Sequence, residues 1–222
     1  MPVLCYFCQM NTDFWAHYLL DQWHKTPLLE IIAVVFSVME VLLAYKNNVL
    51  LYPAGIISTG IFIWLFIRPE TGLYADASLN FYYLIMSIYG WYLWSKRNKR
   101  AENLPISSWT ARERGITFGL FAVAFILIYF VLSHFTDSTV PLGDAFVSAT
   151  AWAGMWLLAK RKLENWMILN ISNAAAIPLL FYKKMPLTAL LTLFLFIVAV
   201  FGYFRWRKIM LVEKTLHKQA ET

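Results

Sequence analysis

Charge is scarce in this chain: of its 222 residues only 14% are Asp, Glu, Lys or Arg, while 60% are hydrophobic. Soluble domains carry about a quarter of their residues as charges, so this composition, with a mean hydropathy of +0.56, excludes an ordinary soluble fold and points to lipid as the solvent. Strand-length alternation of polar and apolar residues is also missing, which excludes a transmembrane β-barrel. Cysteine is limited to Cys5 and Cys8. One C-x-x-C without a second Cys/His pair completes neither a zinc site nor a redox framework, and its placement is read as incidental. None of the four histidines (His17, His24, His134, His217) falls in the middle of an apolar run, His134 standing at the very end of one, which argues against a buried proton relay or metal cage. Gly-rich phosphate loops, zinc-protease motifs and nucleophile elbows are absent too, so an ATP-driven pump or membrane hydrolase loses its support. The chain is read as a non-enzyme without cofactor or metal. Residues 1–27 lack the basic start, apolar core and cleavage site of a signal peptide, so the first span is expected to direct insertion.

What is present is a series of long apolar runs. A helix needs about 20 apolar residues to cross roughly 30 Å of hydrocarbon, and seven such stretches are predicted at 28–45, 49–67, 73–94, 116–135, 140–159, 165–182 and 186–206. Ahead of them, residues 11–26 place Phe14, Trp15, Tyr18, Leu19 and Trp23 at helical spacing among polar residues, the pattern of an interfacial amphipathic helix. The net charge of +6 belongs to the loops, so the bilayer and its anionic lipids, rather than nucleic acid, are the expected partners. Counted on alternate sides of seven spans, fifteen Lys and Arg fall on one side and four (Lys25, Arg68, Lys183, Lys184) on the other. The positive-inside rule then puts the C-terminus in the cytoplasm, the N-terminus outside and the protein in the cell (inner) membrane.

A repeat is legible within the spans. Tyr89-Gly90-Trp91-Tyr92-Leu93-Trp94 closes the third, and Phe201-Gly202-Tyr203-Phe204-Arg205-Trp206 closes the seventh, each followed by basic residues. Lys46-Asn47-Asn48 precedes the second span as Lys162-Leu163-Glu164-Asn165 precedes the sixth. The predicted fold is an all-α polytopic membrane protein whose seven transmembrane helices form 3+1+3 parallel repeats. The expected organisation is an interfacial segment at 1–27, a first three-helix repeat at 28–95, a basic cytoplasmic loop at 96–115, a linking helix at 116–135, a second repeat at 140–206 and a cytoplasmic tail at 207–222. For Trp94 and Trp206 the simpler reading is an aromatic belt at the interface; the paired glycines fit that reading less well.

Polar groups inside spans are costly, about 2.5 to 3.5 kcal/mol for a central Asp on the insertion scale, and so mark candidate sites. Asn80, Tyr83, Ser87 and Trp91 share a helix face in the third span, and Trp166, Asn170 and Asn173 do so in the sixth. Two such stripes on corresponding helices would face each other across a pseudo-two-fold axis, and all seven residues are predicted to bind substrate. Interhelical hydrogen bonding by the same groups is the competing reading. Pro53, Gly55, Ser58, Thr59 and Gly60 give the second span the means to kink and pack closely, with Ser58 and Thr59 able to touch ligand. Glu40 is assigned a water-exposed or hydrogen-bonded structural role ahead of ion coupling, and Asp144 a helix-capping role at the outer surface. With ten Trp and twelve Tyr, aromatic recognition of a flat or cationic ligand is the main chemistry on offer.

Gly72-Leu73-Tyr74-Ala75-Asp76, the run from Ser87 to Trp94, the run from Ser133 through Asp137 to Phe146, and Glu164-Asn165-Trp166 together resemble the Pnu-type vitamin transporters from about Glu30 to Lys208. The resemblance implies a SWEET-like fold, facilitative import of nicotinamide riboside, trapping by a cytosolic kinase, and a homotrimer. Relatives of this type carry thiamine or riboflavin. By position, Trp166 matches the first Trp of the family's E-N-W-x-x-W and Asn173 its polar position one turn on. Asn80 replaces a frequent Gln, and Leu169 replaces the second Trp. A non-transporting membrane receptor or assembly protein is the alternative from another class.

Overall fold

A computed structural model describes residues 28–68, 74–96, 105–136, 138–183 and 185–220. The interfacial helix expected at 11–26, the Cys5/Cys8 pair, His17, His24 and residues 97–104 of the basic loop lie outside these residues. The described residues form seven helices: α1 (Leu28–Tyr45), α2 (Leu51–Phe66), α3 (Tyr74–Ser95), α4 (Ala111–Phe135), α5 (Pro141–Ala159), α6 (Asn165–Tyr182) and α7 (Pro186–Ala220). Four of them (α1, α4, α5 and residues 188–216 of α7) are long and apolar enough to cross a bilayer, and α2 is an apolar helix of 16 residues. The two remaining, α3 and α6, carry the polar stripes, and those residues are what dilute their hydropathy.

Two boundaries differ from expectation. The fourth helix starts at Ala111 rather than at 116, because Thr110 and Glu113 form a capping box: Thr110 N–H donates to Glu113 Oε2 at 2.8 Å and Glu113 N–H to Thr110 Oγ1 at 3.3 Å. The seventh continues as one helix through Ala220, 35 residues in all, about 52 Å at 1.5 Å per residue. Its extension is held by Glu213, which accepts from Ile106 N–H at 3.2 Å. The segment before α4 is also clamped to the α5–α6 turn by Trp109 N–H to Glu164 Oε2 at 3.0 Å and Lys162 Nζ to Glu113 at 3.0 Å. Thr110→Ala is expected to cost about 1 kcal/mol, the usual value of an N-cap, read as a small fall in the thermal unfolding midpoint with ligand binding unchanged.

Packing closes six helices into a ring in the order α1, α2, α3, α5, α6, α7 and back to α1, with α4 outside against α5. Local bonds recur at a fixed offset of 114 residues. Asn47 and Arg161 both take φ of 56° after α1 and α5. Asn48 N–H bonds Leu43 O as Lys162 N–H bonds Leu157 O, at 2.9 and 3.0 Å. Ser58 Oγ donates to Ala33 O at 2.9 Å, joining α2 to α1, and Ser172 Oγ to Val147 O at 2.7 Å, joining α6 to α5. The turn before α2 therefore matches Lys160-Arg161-Lys162, two residues earlier than the sequence alignment at Lys162 suggested.

At the basic end of the ring the helices are locked by an aromatic layer. Tyr52 meets Trp94 edge-on at 5.2 Å and 87°, Trp166 meets Trp206 at 5.5 Å and 88°, and the two pairs touch through Trp94 and Trp206 at 5.9 Å. Trp94 and Trp206 are not belt residues: they are 6% and 0% exposed. Their indole N–H groups cross the ring, Trp94 to Ala159 O at 3.2 Å and Trp206 to Ala44 O at 2.9 Å. The paired glycines serve this layer. A Cβ on Gly90 would lie 2.3 Å from the Tyr52 ring and one on Gly202 2.8 Å from the Trp166 indole. Arg161 completes the end, its guanidinium 4.8 Å over the Trp94 ring and its Nε donating to Asn47 Oδ1 at 3.0 Å. At the other end Asp144 does not cap α5, whose N-cap is Val140. It pairs with Lys183 at 2.5 Å and accepts from Ser138 Oγ at 2.8 Å, because a carboxylate one turn into α5 reaches the end of α6 more readily than its own first N–H groups.

Candidate functional site

In a lipid-solvated bundle the interior is where polar groups collect. Among the described residues the buried side-chain atoms lacking a hydrogen-bond partner are the Tyr52 and Ser87 hydroxyls, the Trp152 and Trp166 indole N–H groups, and the side-chain oxygens of Asn165 and Asn170. Leaving such a group unmatched costs about 1–3 kcal/mol. Several of them inside one ring, from α2, α3, α5 and α6, leave donors and acceptors open to a ligand.

The residues predicted from sequence divide. Ser87 is fully buried with a free hydroxyl, and Trp166, 3% exposed, belongs to the aromatic layer. Asn170 and Asn173 are half-buried on α6, and the Asn173 side chain makes no hydrogen bond among the described residues. Tyr83 is half-buried and within electrostatic reach of Glu40. Asn80 is half-buried and already engaged. Trp91 is not brought to the others: it is 43% exposed and, with Ile88, Tyr92 and Ser95, lines an open crevice of about 300 Å³ outside α3. The buried face of α3 is centred on Met86, Ser87, Gly90 and Trp94, and at 100° per residue Trp91 falls to its flank. The stripes also do not sit on corresponding helices. The recurring bonds relate α6 to α2 and the glycine–tryptophan endings relate α3 to α7, so both stripes flank α5 instead of facing across an axis.

Several second-span residues prove structural. Ser58 is fixed to Ala33 O and to Ser37 Oγ at 2.6 Å, and Thr59 Oγ1 donates back to Gly55 O at 2.7 Å. Pro53 stands in the first turn of α2, where a proline's missing N–H breaks no bond, so it produces no kink. Gly60 packs against nothing: a Cβ there would meet open space.

Two interior residues, Tyr52 and Trp152, escaped the sequence reading. Tyr52 reads as the first turn of an apolar run, and its only signal is Gly90, the glycine its ring requires. Trp152 on α5 stacks on Tyr82 at 4.0 Å and 11°, while Tyr82 OH donates to Trp152 O at 3.0 Å. Glu40, assigned a water-exposed or hydrogen-bonded role, is partly exposed and makes no hydrogen bond or ion pair among the described residues. Its carboxyl group lies over Gly55, where a Cβ would come 2.5 Å from Oε1.

Unmatched donors and acceptors beside aromatic faces suit a flat, partly polar small molecule held by stacking and hydrogen bonds. A multi-span helical bundle with such groups turned inward is the architecture of a small-molecule membrane transporter. The chain belongs to the nicotinamide mononucleotide transporter family, whose sequence model matches residues 27–208. It is 22% identical over 204 residues to the nicotinamide riboside transporter PnuC of Escherichia coli (strain K12), a match covering 80% of this chain and 84% of that one. The nicotinamide riboside transporter PnuC of Shigella flexneri matches equally, at 22% over 204 residues. The crystal structure of the vitamin B3 transporter PnuC shares the fold with a TM-score of 0.65 at 20% identity, over 87% of this chain and 86% of that one. The protein is thus a multi-pass membrane transporter of the PnuC type.

Proposed function

We propose that this transporter is a facilitative importer of nicotinamide riboside, built as 3+1+3 parallel repeats in which α1–α3 and α5–α7 are the two triplets and α4 the link. The bonds recurring 114 residues apart and the closed six-helix ring support that arrangement. The observation that carries the substrate reading is the set of unmatched interior polar atoms on Ser87, Trp152, Trp166 and Asn170, in a chain whose relatives are named for nicotinamide riboside. Trp152 and Trp166 supply stacking faces, while Asn170, Asn173, Ser87 and Tyr83 read ribose hydroxyls or the carboxamide, with Asn80 contributing from α3. Trp91 has no part in this version of the site. The basic end, which gathers Arg161, Lys162 and Arg205, faces the cytoplasm of the cell inner membrane by the positive-inside rule. Phosphorylation by a cytosolic kinase traps the substrate, and the apolar outer face of α4, with Phe118, Val123, Ile126 and Phe130 exposed, offers contact area for a homotrimer.

Binding of nicotinamide riboside, thiamine and riboflavin to the purified protein, followed by counterflow of labelled substrate in proteoliposomes, tests this. Saturable nicotinamide riboside binding with exchange is expected. Tight thiamine binding without nicotinamide riboside binding would replace the substrate with the second reading, kept because Leu169 stands in place of the family's second Trp and Asn80 in place of its frequent Gln. Binding without exchange would make the protein a receptor.

A further inference from the structure

An ionisable group among transmembrane helices is costly to bury, and one without a partner calls for an explanation. Glu40 has none among the described residues. Ser37 and Ser58 are bonded to each other, Ser58 also to Ala33 O, and Thr59 to Gly55 O. Arg161 lies beyond Tyr52 and is committed to Asn47, the Trp94 ring and the charge of Glu213. The side chains whose electrostatics Glu40 reaches are two phenols, Tyr52, whose hydroxyl is buried and unmatched, and Tyr83. Space for the carboxyl group exists because residue 55 is glycine: a Cβ would lie 2.5 Å from Oε1, 2.7 Å from Cδ and 3.0 Å from Oε2.

The second half of the ring holds the mirror arrangement. The offset of 114 that relates the turns and the serine bonds takes Glu40 to Gly154 and Gly55 to Leu169. There the long side chain comes from the other helix: a Cβ on Gly154 would lie 2.6 Å from Leu169 Cδ2. One half thus fills this position with an apolar side chain and the other with a carboxylate, so the negative charge lies to one side of the interior, beside aromatic rings. An oriented, flat cation satisfies both the unpaired charge and the ring faces.

We propose that Glu40 is a specificity-determining residue that pairs with the positive charge of a cationic heteroaromatic substrate, so that the transporter selects charge as well as ring shape. The inference rests on the interior site proposed above, though not on which cation fills it.

The test compares nicotinamide riboside, whose ring is a cation, with its reduced dihydro form, whose ring is neutral, on the wild-type protein and on Glu40→Gln. Thiamine, also cationic, and riboflavin, which is neutral, complete the panel. Wild type is expected to bind the oxidised riboside at least tenfold more tightly than the reduced one. Glu40→Gln should erase that preference by weakening the cation at least tenfold while leaving the neutral form unchanged. Its ligand-free thermal midpoint should stay level or rise, since a carboxyl group without a partner has been replaced by an amide; a structural Glu40 would lower it. Equal affinity of wild type for both redox forms, a comparison that needs no variant to fold, overturns the inference, as does cation binding indifferent to Glu40→Gln. If thiamine alone binds and depends on Glu40, the substrate proposed above falls and this inference stands. If riboflavin alone binds, both fall.

Discussion

Gly202→Ala is expected to destabilise the protein by about 1–3 kcal/mol, the usual cost of overpacking, and to abolish ligand binding with it. The added methyl would meet three atoms of the Trp166 indole at 2.8 Å, and Trp166 cannot retreat because Trp206 stands edge-on against it at 5.5 Å. Trp206 is itself pinned by its N–H bond to Ala44 O at 2.9 Å. Gly90→Ala should behave alike against Tyr52, where the approach is 2.3 Å. The two glycines act on one layer joined through Trp94 and Trp206, so the double variant should depart from additivity. Thermal unfolding in detergent measures all three. Gly60→Ala is the control: with nothing within 4 Å of its Cβ, it should be neutral or stabilising by up to about 1 kcal/mol through helix propensity. A Gly202→Ala protein that unfolds with the wild type would show that the layer is not tightly packed.

Trp166→Ala carries the second large effect. Removing a buried indole from a packed layer costs about 3–5 kcal/mol, enough to consume much of a membrane bundle's margin and to remove transport. Trp166→Phe separates folding from recognition. It keeps a ring against Trp206 but deletes the N–H that has no partner in the fold, so stability should fall by less than in the alanine variant while substrate affinity drops about tenfold, the worth of one hydrogen bond of roughly 1.4 kcal/mol. Ligand titration beside the unfolding midpoint distinguishes the two. Unchanged affinity in Trp166→Phe would remove the indole N–H from the site.

Trp91 and Tyr52 mark the limit of reading a site from one helix at a time. The stripe from Asn80 to Trp91 is real as a spacing, yet a spacing fixes only a face and not its direction, and the direction depends on which neighbours pack against α3. With α2 and α5 as those neighbours, Ser87 turns inward and Trp91 faces out. Glu40 is a similar case: its nearest charge in sequence is Lys46, which suggested solvent, whereas the fold lays it over Gly55 on the next helix.

The sequence by itself determined the number of described helices, most of their ends to within one or two residues, and the gathering of basic residues at one end. Those properties are set locally, by the length of apolar runs, by capping residues such as Thr110 and Glu113, and by the cost of carrying Lys and Arg through lipid. It also revealed the paired Gly90 and Gly202, without their purpose. Only the tertiary structure decided that α3 packs on α5 and α1 on α7, that the Trp94 and Trp206 indoles bond Ala159 O and Ala44 O across the ring, and that Glu40 stands opposite Gly55 as Leu169 stands opposite Gly154. These depend on contacts between helices, up to 162 positions apart for Trp206 and Ala44, in an apolar solvent where close packing and hydrogen bonding, not hydrophobicity, choose the neighbours.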